Sequence, residues 1–279
     1  MKTSHCATEM ADALEVSRSG FYAHQGKEQR PRRREDKELL AQIEPLFVAS
    51  RRTYGSPRIM HALRKTGRHC GKNRIARLMR QGALRPRQKR RFRPQTTQSD
   101  HKMPIAPNWL AKIPTPDRPG QVWVADITYI QTLEGWIYLS GILDLCSRRC
   151  VGWQSDDSLA TSLVTRAWDK AWKNHRPDPG LLHHSDRGVQ YASSDFTTLL
   201  HHSGATPSMS RKANCYDNAL MESFWATLKT ECFDSLIPET KAQAKLMLFD
   251  YIEGFYNRSR LHSAIGYQSP VQFETSLPS

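Results

Sequence analysis

The sequence lacks the features of a secreted or membrane-spanning protein. Its 279 residues contain no apolar run that approaches the ~20 residues of a membrane-spanning helix. The six cysteines form no CxxC pair, their spacing relative to the histidines builds no four-ligand zinc site, and no signal peptide precedes them. A reduced, cytoplasmic protein without a membrane partner is therefore expected.

Acidic residues are scarce in the N-terminal part of the chain. Residues 1–118 contain 27 Lys and Arg against 10 Asp and Glu, a net charge of +17, whereas residues 119–279 carry a net charge of −3. This asymmetry predicts that a polyanion such as DNA binds chiefly to the N-terminal part. The alternative is a solvated basic surface with no dedicated partner.

Three short helices are predicted in this basic part. The first covers residues 35–49, where Pro45 predicts a kink or a break. The second is predicted to have Ser56 as its N-cap and Pro57 at its first helical position, and it ends at Gly67. The third covers residues 72–81. Two short helices joined by a glycine-bounded turn favour a helix-turn-helix.

Basic residues on the third predicted helix and on the segment after it are candidates for contacts with DNA. The apolar side chains of the helix face inward and leave its basic side chains for phosphates or bases. Residues 85–93, RPRQKRRFR, suit an extended arm along a phosphate backbone or in a minor groove. A three-helix bundle with a charged outer face is the alternative. The candidates are Lys72, Arg74, Arg77, Arg80, Arg85, Arg87, Lys89, Arg90, Arg91 and Arg93.

The remainder of the chain has an α/β pattern. Strands and helices are predicted in the order β-β-β-α-β-α-β-α-α, with apolar residues on both faces of the first three strands. The last predicted helix covers residues 240–256. The predicted organisation is a short helical segment with a charged linker (1–33), a helix-turn-helix domain with a basic arm (34–94), a linker (95–119) and an α/β domain (120–279).

Three acidic residues of the α/β domain stand in settings that call for an explanation. Asp126 lies within the apolar strand VWVADITYI, where a carboxylate is costly to bury unless it is paired or bound to metal. Asp186 lies at the end of a predicted strand, and Glu222 lies on a predicted helix, with 35 residues between the two acids. The apolar face predicted for that helix consists of Met221, Phe224, Trp225 and Leu228. Lys229 shares a helical stripe with Glu222, roughly 10 Å along the axis.

Simpler roles exist for each of these residues. Asp126 could accept hydrogen bonds from a turn, and Asp186 could be an ordinary turn aspartate. Glu222 could be a solvated helix residue, and Lys229 a surface lysine.

The sequence resembles the DDE (Asp-Asp-Glu) transposases and integrases, most closely the IS-three family of bacterial insertion-sequence transposases. The matching motifs are WVADITYI around Asp126, HHSDRGVQY around Asp186 and SRKANCYDNALMESFWATLKTE around Glu222. The segment from Tyr251 to Pro270, YIEGFYNRSRLHSAIGYQSP, matches the family's C-terminal signature. Three extended motifs in order, with the family's spacing, are a more specific signal than a lone acid triad.

The resemblance implies an RNase H-like integrase catalytic core that cuts element ends and joins a 3′-hydroxyl to target DNA. It implies that Asp126, Asp186 and Glu222 hold Mg²⁺ or Mn²⁺, with two ions expected, and that Lys229 holds a DNA phosphate. It also implies a homo-oligomer on transposon-end and target DNA in the bacterial nucleoid, and an upstream-frame protein of the same element as partner. Because no heptad repeat is present, a DNA-binding regulator that is inactive without the upstream segment stays open as an alternative.

Overall fold

Two compact units make up the protein, residues 1–86 and residues 87–279. The structure is a computed structural model. It describes residues 10, 11, 13, 15–17, 19, 31–87, 103–211, 218–234 and 236–277.

The first unit contains three described helices, α1 (Pro31–Ala49), α2 (Ser56–Lys65) and α3 (Lys72–Gln81). The all-α domain expected from the sequence is therefore present. Helix α1 begins earlier than predicted and runs through Pro45 without a break. Packing of its apolar stripe against α2 and α3 offsets the backbone hydrogen bond that the proline removes. The buried side chains that form this small core include Leu39, Ile43, Phe47, Ile59, Leu63, Ile75, Leu78 and Met79.

An ion-pair cluster ties α3 to the start of α1. The guanidinium groups of Arg74 and Arg77 each donate to one carboxylate oxygen of Asp36, at 2.7 and 2.6 Å, and Arg74 also donates to Glu35 at 3.1 Å. Burial raises the pKa of Asp36, but the hydrogen bonds from Arg77 and Arg74 outweigh it and hold that pKa below its ordinary value.

A five-stranded mixed sheet organises the second unit. Its strands are β1 (Val122–Thr132), β2 (Gly135–Asp144), β3 (Cys150–Asp156), β4 (Leu182–Ser185) and β5 (Thr206–Met209). They lie in the order β3-β2-β1-β4-β5. The first three strands pair antiparallel, and β1, β4 and β5 pair parallel. The α/β class predicted from the sequence is confirmed.

Helices cover both faces of this sheet. They are α4 (Thr161–His175), α5 (Val189–Ala192), α6 (Ser194–His202), α7 (Ala219–Leu228), α8 (Lys241–Phe249) and α9 (Pro270–Ser276). The sequence reasoning missed α5 and α9, and it drew one helix through residues 240–256, where α8 is followed by a π-helical segment, Asp250–Tyr256. A second π-helical segment, Lys229–Phe233, continues α7. No described helix has the length and apolar character to cross a membrane.

The two faces of β1 have different neighbours. Trp123 and Ala125 belong to a core that includes α4, α5 and α6, with Trp168 and Phe196 among its buried members. Asp126 points to the opposite face, because successive side chains of a strand alternate. Helix α7 lies on that face.

The end of α7 is fixed by a buried ion pair. Arg260 donates from two nitrogens to the two carboxylate oxygens of Glu231, at 2.7 and 2.8 Å, and the hydroxyl of Tyr251 donates to the same carboxylate at 2.9 Å. Asn257 bonds the backbone N–H and C=O of Cys150 on β3. The C-terminal sequence signature thus supplies side chains that anchor the chain after α7 and beside β3.

We expect Glu231→Ala to lower the melting temperature of the second unit by roughly 10 °C, because it leaves the Arg260 guanidinium buried without its partner. Tyr251→Phe removes one hydrogen bond and should lower it by only a few degrees. Thermal unfolding of the full chain, followed by a fluorescent probe in the second unit, measures both. Equal melting of Glu231→Ala and the unchanged protein would show that the pair contributes nothing to stability.

Candidate active site

Strand register brings Asp126 and Asp186 side by side. In the parallel pairing of β1 with β4, Val124 lies opposite His184. Asp126 lies two residues after Val124 within β1, and Asp186 lies two residues after His184, in the turn that follows β4. The neighbouring strands are ~4.8 Å apart. The two carboxyl groups are close enough for the charge of Asp186 to affect Asp126.

The carboxyl group of Asp126 has a strongly shifted pKa. Burial is the largest cause, the charge of Asp186 the next, and together with a smaller effect of Glu222 they raise the pKa of Asp126 to about 8. Two hydrogen bonds oppose this shift, from the backbone of Ile127 and from the indole of Trp225. Burial and the charge of Asp186 therefore favour the protonated form of Asp126 in the metal-free protein.

Asp186 occupies a turn directly after β4. Its Oδ1 accepts the backbone N–H of Gly188 at 2.9 Å, which fixes the side chain in the way expected of a turn aspartate. The guanidinium of Arg187 donates to the backbone carbonyl of Ser210 at 2.7 Å. Its side chain thereby ties the end of β4 to the residue that follows β5.

Glu222 is exposed in the first turn of α7. The helix buries the apolar face that the sequence predicted, Met221, Phe224, Trp225 and Leu228. That packing leaves Glu222 on the side of the site, close enough for its charge to affect Asp126.

Lys229 follows the last residue of α7, where the π-helical segment begins. Its side chain is half-buried, and burial lowers the pKa of its ammonium group to about 8, while the charge of Asp126 opposes the shift. The structure therefore brings all four sequence-predicted site residues into one electrostatic environment.

Carboxylate oxygens are the donors that hard divalent cations prefer, so the donor chemistry of Asp126, Asp186 and Glu222 fits Mg²⁺ or Mn²⁺. Burial and the charge of Asp186 raise the pKa of Asp126, and a bound cation would offset both effects. Among the described residues, no three His, Cys, Asp or Glu side chains converge as a ready-made metal site. Side-chain adjustment is therefore part of any binding of a cation here.

The two histidines before Asp186 take structural positions. His183 is buried among the rings of Trp168, Tyr191 and Phe196, and burial lowers the pKa of its imidazole to about 3. His184 shares a hydrogen bond of 2.9 Å with the hydroxyl of Ser208. The sequence reasoning left both out of the metal-binding set.

The candidate DNA-contacting residues fall into four groups, of which Arg87 alone forms the last. Lys72, Arg80 and Arg85 have exposed side chains. Arg74 and Arg77 are ion-paired with α1. Those after residue 87, Lys89, Arg90, Arg91 and Arg93, lie outside the described residues.

Arg87 belongs to the second unit. It donates to the backbone carbonyl of Glu231 at 2.9 Å and pairs with Asp234 at 2.9 Å. This places the first residue of the second unit beside the segment that follows Lys229.

Two residues of the site were missed by sequence reasoning. Trp225 was assigned only to the apolar face of its helix, yet its indole N–H donates to Asp126 at 3.0 Å. Gly141, the register partner of Asp126 on β2, lies under the same indole. The spacing of three residues between Glu222 and Trp225 was the available signal, because such residues share one side of a helix.

The protein families that match this chain correspond to its two compact units. Residues 33–92 match an HTH-like domain, and residues 116–215 and 203–270 match two models of the integrase core domain. The transposase InsF for insertion sequence IS3A of Escherichia coli is 36% identical over 95% of this chain and 92% of its own length. The chain belongs to the IS3 family of insertion-sequence transposases.

Two further relatives of this transposase have the same extent. A 31 kDa protein of insertion element IS600 from Shigella sonnei is 43% identical over 95% of the chain and 97% of its own length. The transposase for IS904 from Lactococcus lactis is 38% identical over 86% of the chain and 94% of its own length. The relatives therefore match both the HTH-like domain and the integrase core.

A solved structure supports the fold. The simian T-cell lymphotropic virus intasome, in complex with the PP2A regulatory subunit B56 gamma, aligns with 79% of the transposase chain and 72% of its own chain. The TM-score is 0.50 at 17% sequence identity, a likeness that concerns the fold alone.

We expect Asp126→Asn to stabilise the metal-free transposase at pH 8. In the wild type, the unfolded chain loses the Asp126 proton near pH 4 while the folded chain keeps it to about pH 8. The contribution of the Asp126 carboxyl to the free energy of unfolding is therefore fully present below pH 4, and it is lost as the pH rises through 8. With EDTA present, the variant should melt roughly 3–8 °C above the wild type at pH 8, and the difference should vanish near pH 4.

Asp195→Asn is the matched control, because Asp195 is an exposed acid in the first turn of α6. It should melt with the wild type at both pH values. A wild type that melts at or above Asp126→Asn at pH 8 would show that Asp126 carries no electrostatic strain.

Proposed function

We propose that this transposase cuts DNA at the ends of its insertion sequence and joins the resulting 3′-hydroxyl to target DNA, with Asp126, Asp186 and Glu222 as its catalytic acids. The observation that carries the proposal is the proximity of two carboxyl groups: Asp126 and Asp186 each lie two residues beyond the end of the β1–β4 register, and burial together with the charge of Asp186 raises the pKa of Asp126 to about 8. Such a juxtaposition costs stability, so it is characteristic of a functional site.

Asp126, Asp186 and Glu222 would hold Mg²⁺ or Mn²⁺, with two ions in the full complement. Bound there, the cations would activate the attacking oxygen and stabilise the leaving oxygen of an in-line displacement at phosphorus. Asp126 comes from strand β1 and Asp186 from the turn directly after β4, where Gly188 fixes its side chain, and both would supply the pre-organised part of the site. Glu222 is exposed on α7 and would complete it.

Lys229 would hold a DNA phosphate beside the acids. With a pKa of about 8, its ammonium group remains mostly protonated at pH 7, and its partial burial strengthens the attraction to an anion. Its role is to orient the scissile phosphate, an effect that changes rate without being required for bond breaking.

The partner of the first unit is DNA. The exposed Lys72, Arg80 and Arg85 are the described candidates for phosphate contacts. Arg74 and Arg77 have a competing role as the clamp on Asp36, so their part in DNA binding would be secondary.

Replacing any one acid should abolish joining. Asp126→Asn, Asp186→Asn and Glu222→Gln preserve shape but each removes an anionic ligand, so losses should exceed about 1,000-fold and should not add in double variants. Lys229→Ala should lower the joining rate about 10- to 100-fold. The assay is Mg²⁺-dependent joining of a labelled, pre-cleaved element end to a plasmid.

Asp195→Asn serves again as control and should join normally, and DNA binding at fixed salt should survive in every acid variant. A single acid variant that joins at the wild-type rate removes that residue from the site.

The assay should be run on the chain alone and fused to an upstream-frame segment, since a homo-oligomer assembled with that segment is the proposed active form. Inactivity of the wild type in both forms, with either metal, would favour a DNA-binding regulator.

DNA affinity should depend on exposed rather than clamped basic residues. Lys72→Ala with Arg80→Ala should weaken binding to random DNA about 10-fold and reduce the salt slope by about 2, without change in melting temperature. Arg74→Ala with Arg77→Ala should chiefly lower the melting temperature of the first unit, because Asp36 loses both partners. Fluorescence anisotropy between 50 and 200 mM salt separates the two classes. Identical salt slopes for both double variants would contradict the assignment.

A further inference from the structure

Trp225 occupies an unusual position for a core tryptophan. It is 5% exposed on α7, and its ring lies directly over Gly141 of β2. A Cβ atom at Gly141 would lie 2.6 Å from one ring carbon and 3.2 Å from another, so any side chain there is excluded by the indole. Because Gly141 is the register partner of Asp126, this close approach brings α7 down onto the sheet beside the acid.

The indole also makes a directed contact with the acid itself. Its Nε1–H donates to Oδ2 of Asp126 at 3.0 Å. An indole N–H can only donate, so it engages one carboxylate oxygen and leaves the other for a different partner. The contact also restrains rotation of the carboxyl group, since the ring is held in place by the sheet on one side and the helix core on the other.

Helical spacing extends the consequence to the rest of the site. Trp225 lies three residues after Glu222 and four residues before Lys229, so the three side chains project from neighbouring positions on one side of the helix. The distance between the indole ring and Gly141 therefore determines how far α7 lies from β1 and how the helix is rotated about its axis. The same contact determines the distances of Glu222 and Lys229 from Asp126.

We propose that Trp225 is a positioning residue. Its indole N–H holds Oδ2 of Asp126, and the packing of its ring on Gly141 fixes helix α7, which carries Glu222, against β2. The inference rests on the proposed function of the acids. It concerns a side chain that binds neither DNA nor cation and acts through Asp126. This contact requires glycine at position 141, because only glycine leaves room for the ring.

Trp225→Phe removes the N–H donor and keeps an aromatic ring over Gly141. Trp168→Phe is a matched control, because Trp168 is another fully buried tryptophan, whose indole donates to the hydroxyl of Ser203 at 3.2 Å on the other side of the sheet. Both variants lose one buried indole hydrogen bond and should lose similar stability. Only Trp225→Phe should lower the joining rate constant, about 10- to 100-fold, with unchanged KM for DNA.

Binding of Mn²⁺ to the full chain without DNA, measured by calorimetry, gives a readout besides activity. Trp225→Phe should weaken it about 10-fold, and Trp168→Phe should leave it unchanged. Gly141→Ala supplies a second route, because it retains the indole but displaces it. It should lower the joining rate constant in the same way.

A spectroscopic test needs no stable Trp225 variant. With 5-fluorotryptophan in the seven tryptophan positions, the Trp225 resonance is assigned by elimination from Trp→Phe variants of the other six. Addition of Mg²⁺ should shift the Trp225 resonance and leave that of Trp168 in place.

The inference fails if Trp225→Phe joins DNA and binds Mn²⁺ as well as Trp168→Phe does. It also fails if the Trp225 resonance does not shift on addition of Mg²⁺ while Asp126→Asn is inactive. An active Asp126→Asn would instead overturn the proposed function of the acids, and this inference with it. The two failures are thus distinguished by the Asp126 variant alone.

Discussion

The repulsion between the carboxyl groups of Asp126 and Asp186 is the constraint on which the second unit depends. The parallel pairing of β1 with β4 ends two residues before both acids, which brings them together beside a largely apolar sheet. Burial of Asp126 and the nearby charge of Asp186 both disfavour the ionised form of Asp126, and they raise its pKa to about 8. The sheet tolerates this arrangement because the opposite face of β1 packs into a large aromatic and aliphatic core.

Helix α7 is coupled to this constraint at two points. In its second half, the indole of Trp225 contacts Asp126 and fills the space that Gly141 leaves open. Beyond its end, the buried Glu231 carboxylate is held by Arg260 and Tyr251. The packing of Trp225, which lies between Glu222 and Lys229, and of Glu231, which follows them, therefore helps to determine the position of both residues. This arrangement suits a site whose charged groups must remain available to a substrate.

The first unit shows why net charge overstates the surface available to DNA. Its excess of Lys and Arg predicts a polyanion partner, and the family match to an HTH-like domain agrees. Two of the four basic residues of α3 are nevertheless used to hold α1 through Asp36. A basic side chain on an amphipathic helix can serve folding or binding, and periodicity does not separate the two roles.

The sequence by itself determined the family, the two fold classes and the identity of the candidate acids. Apolar periodicity identified the strand of Asp126 and the helix of Glu222, since local patterns report which face is buried. Local patterns carry no information about strand order, so only the tertiary structure decided that β1 lies between β2 and β4. The same holds for the Trp225–Gly141 contact and the Arg260–Glu231 pair, whose partners are separated by tens of residues. Helix α9 has a local signal that the sequence reasoning did not use, because Ser269 caps it, Pro270 begins it and Gln272 completes a capping box.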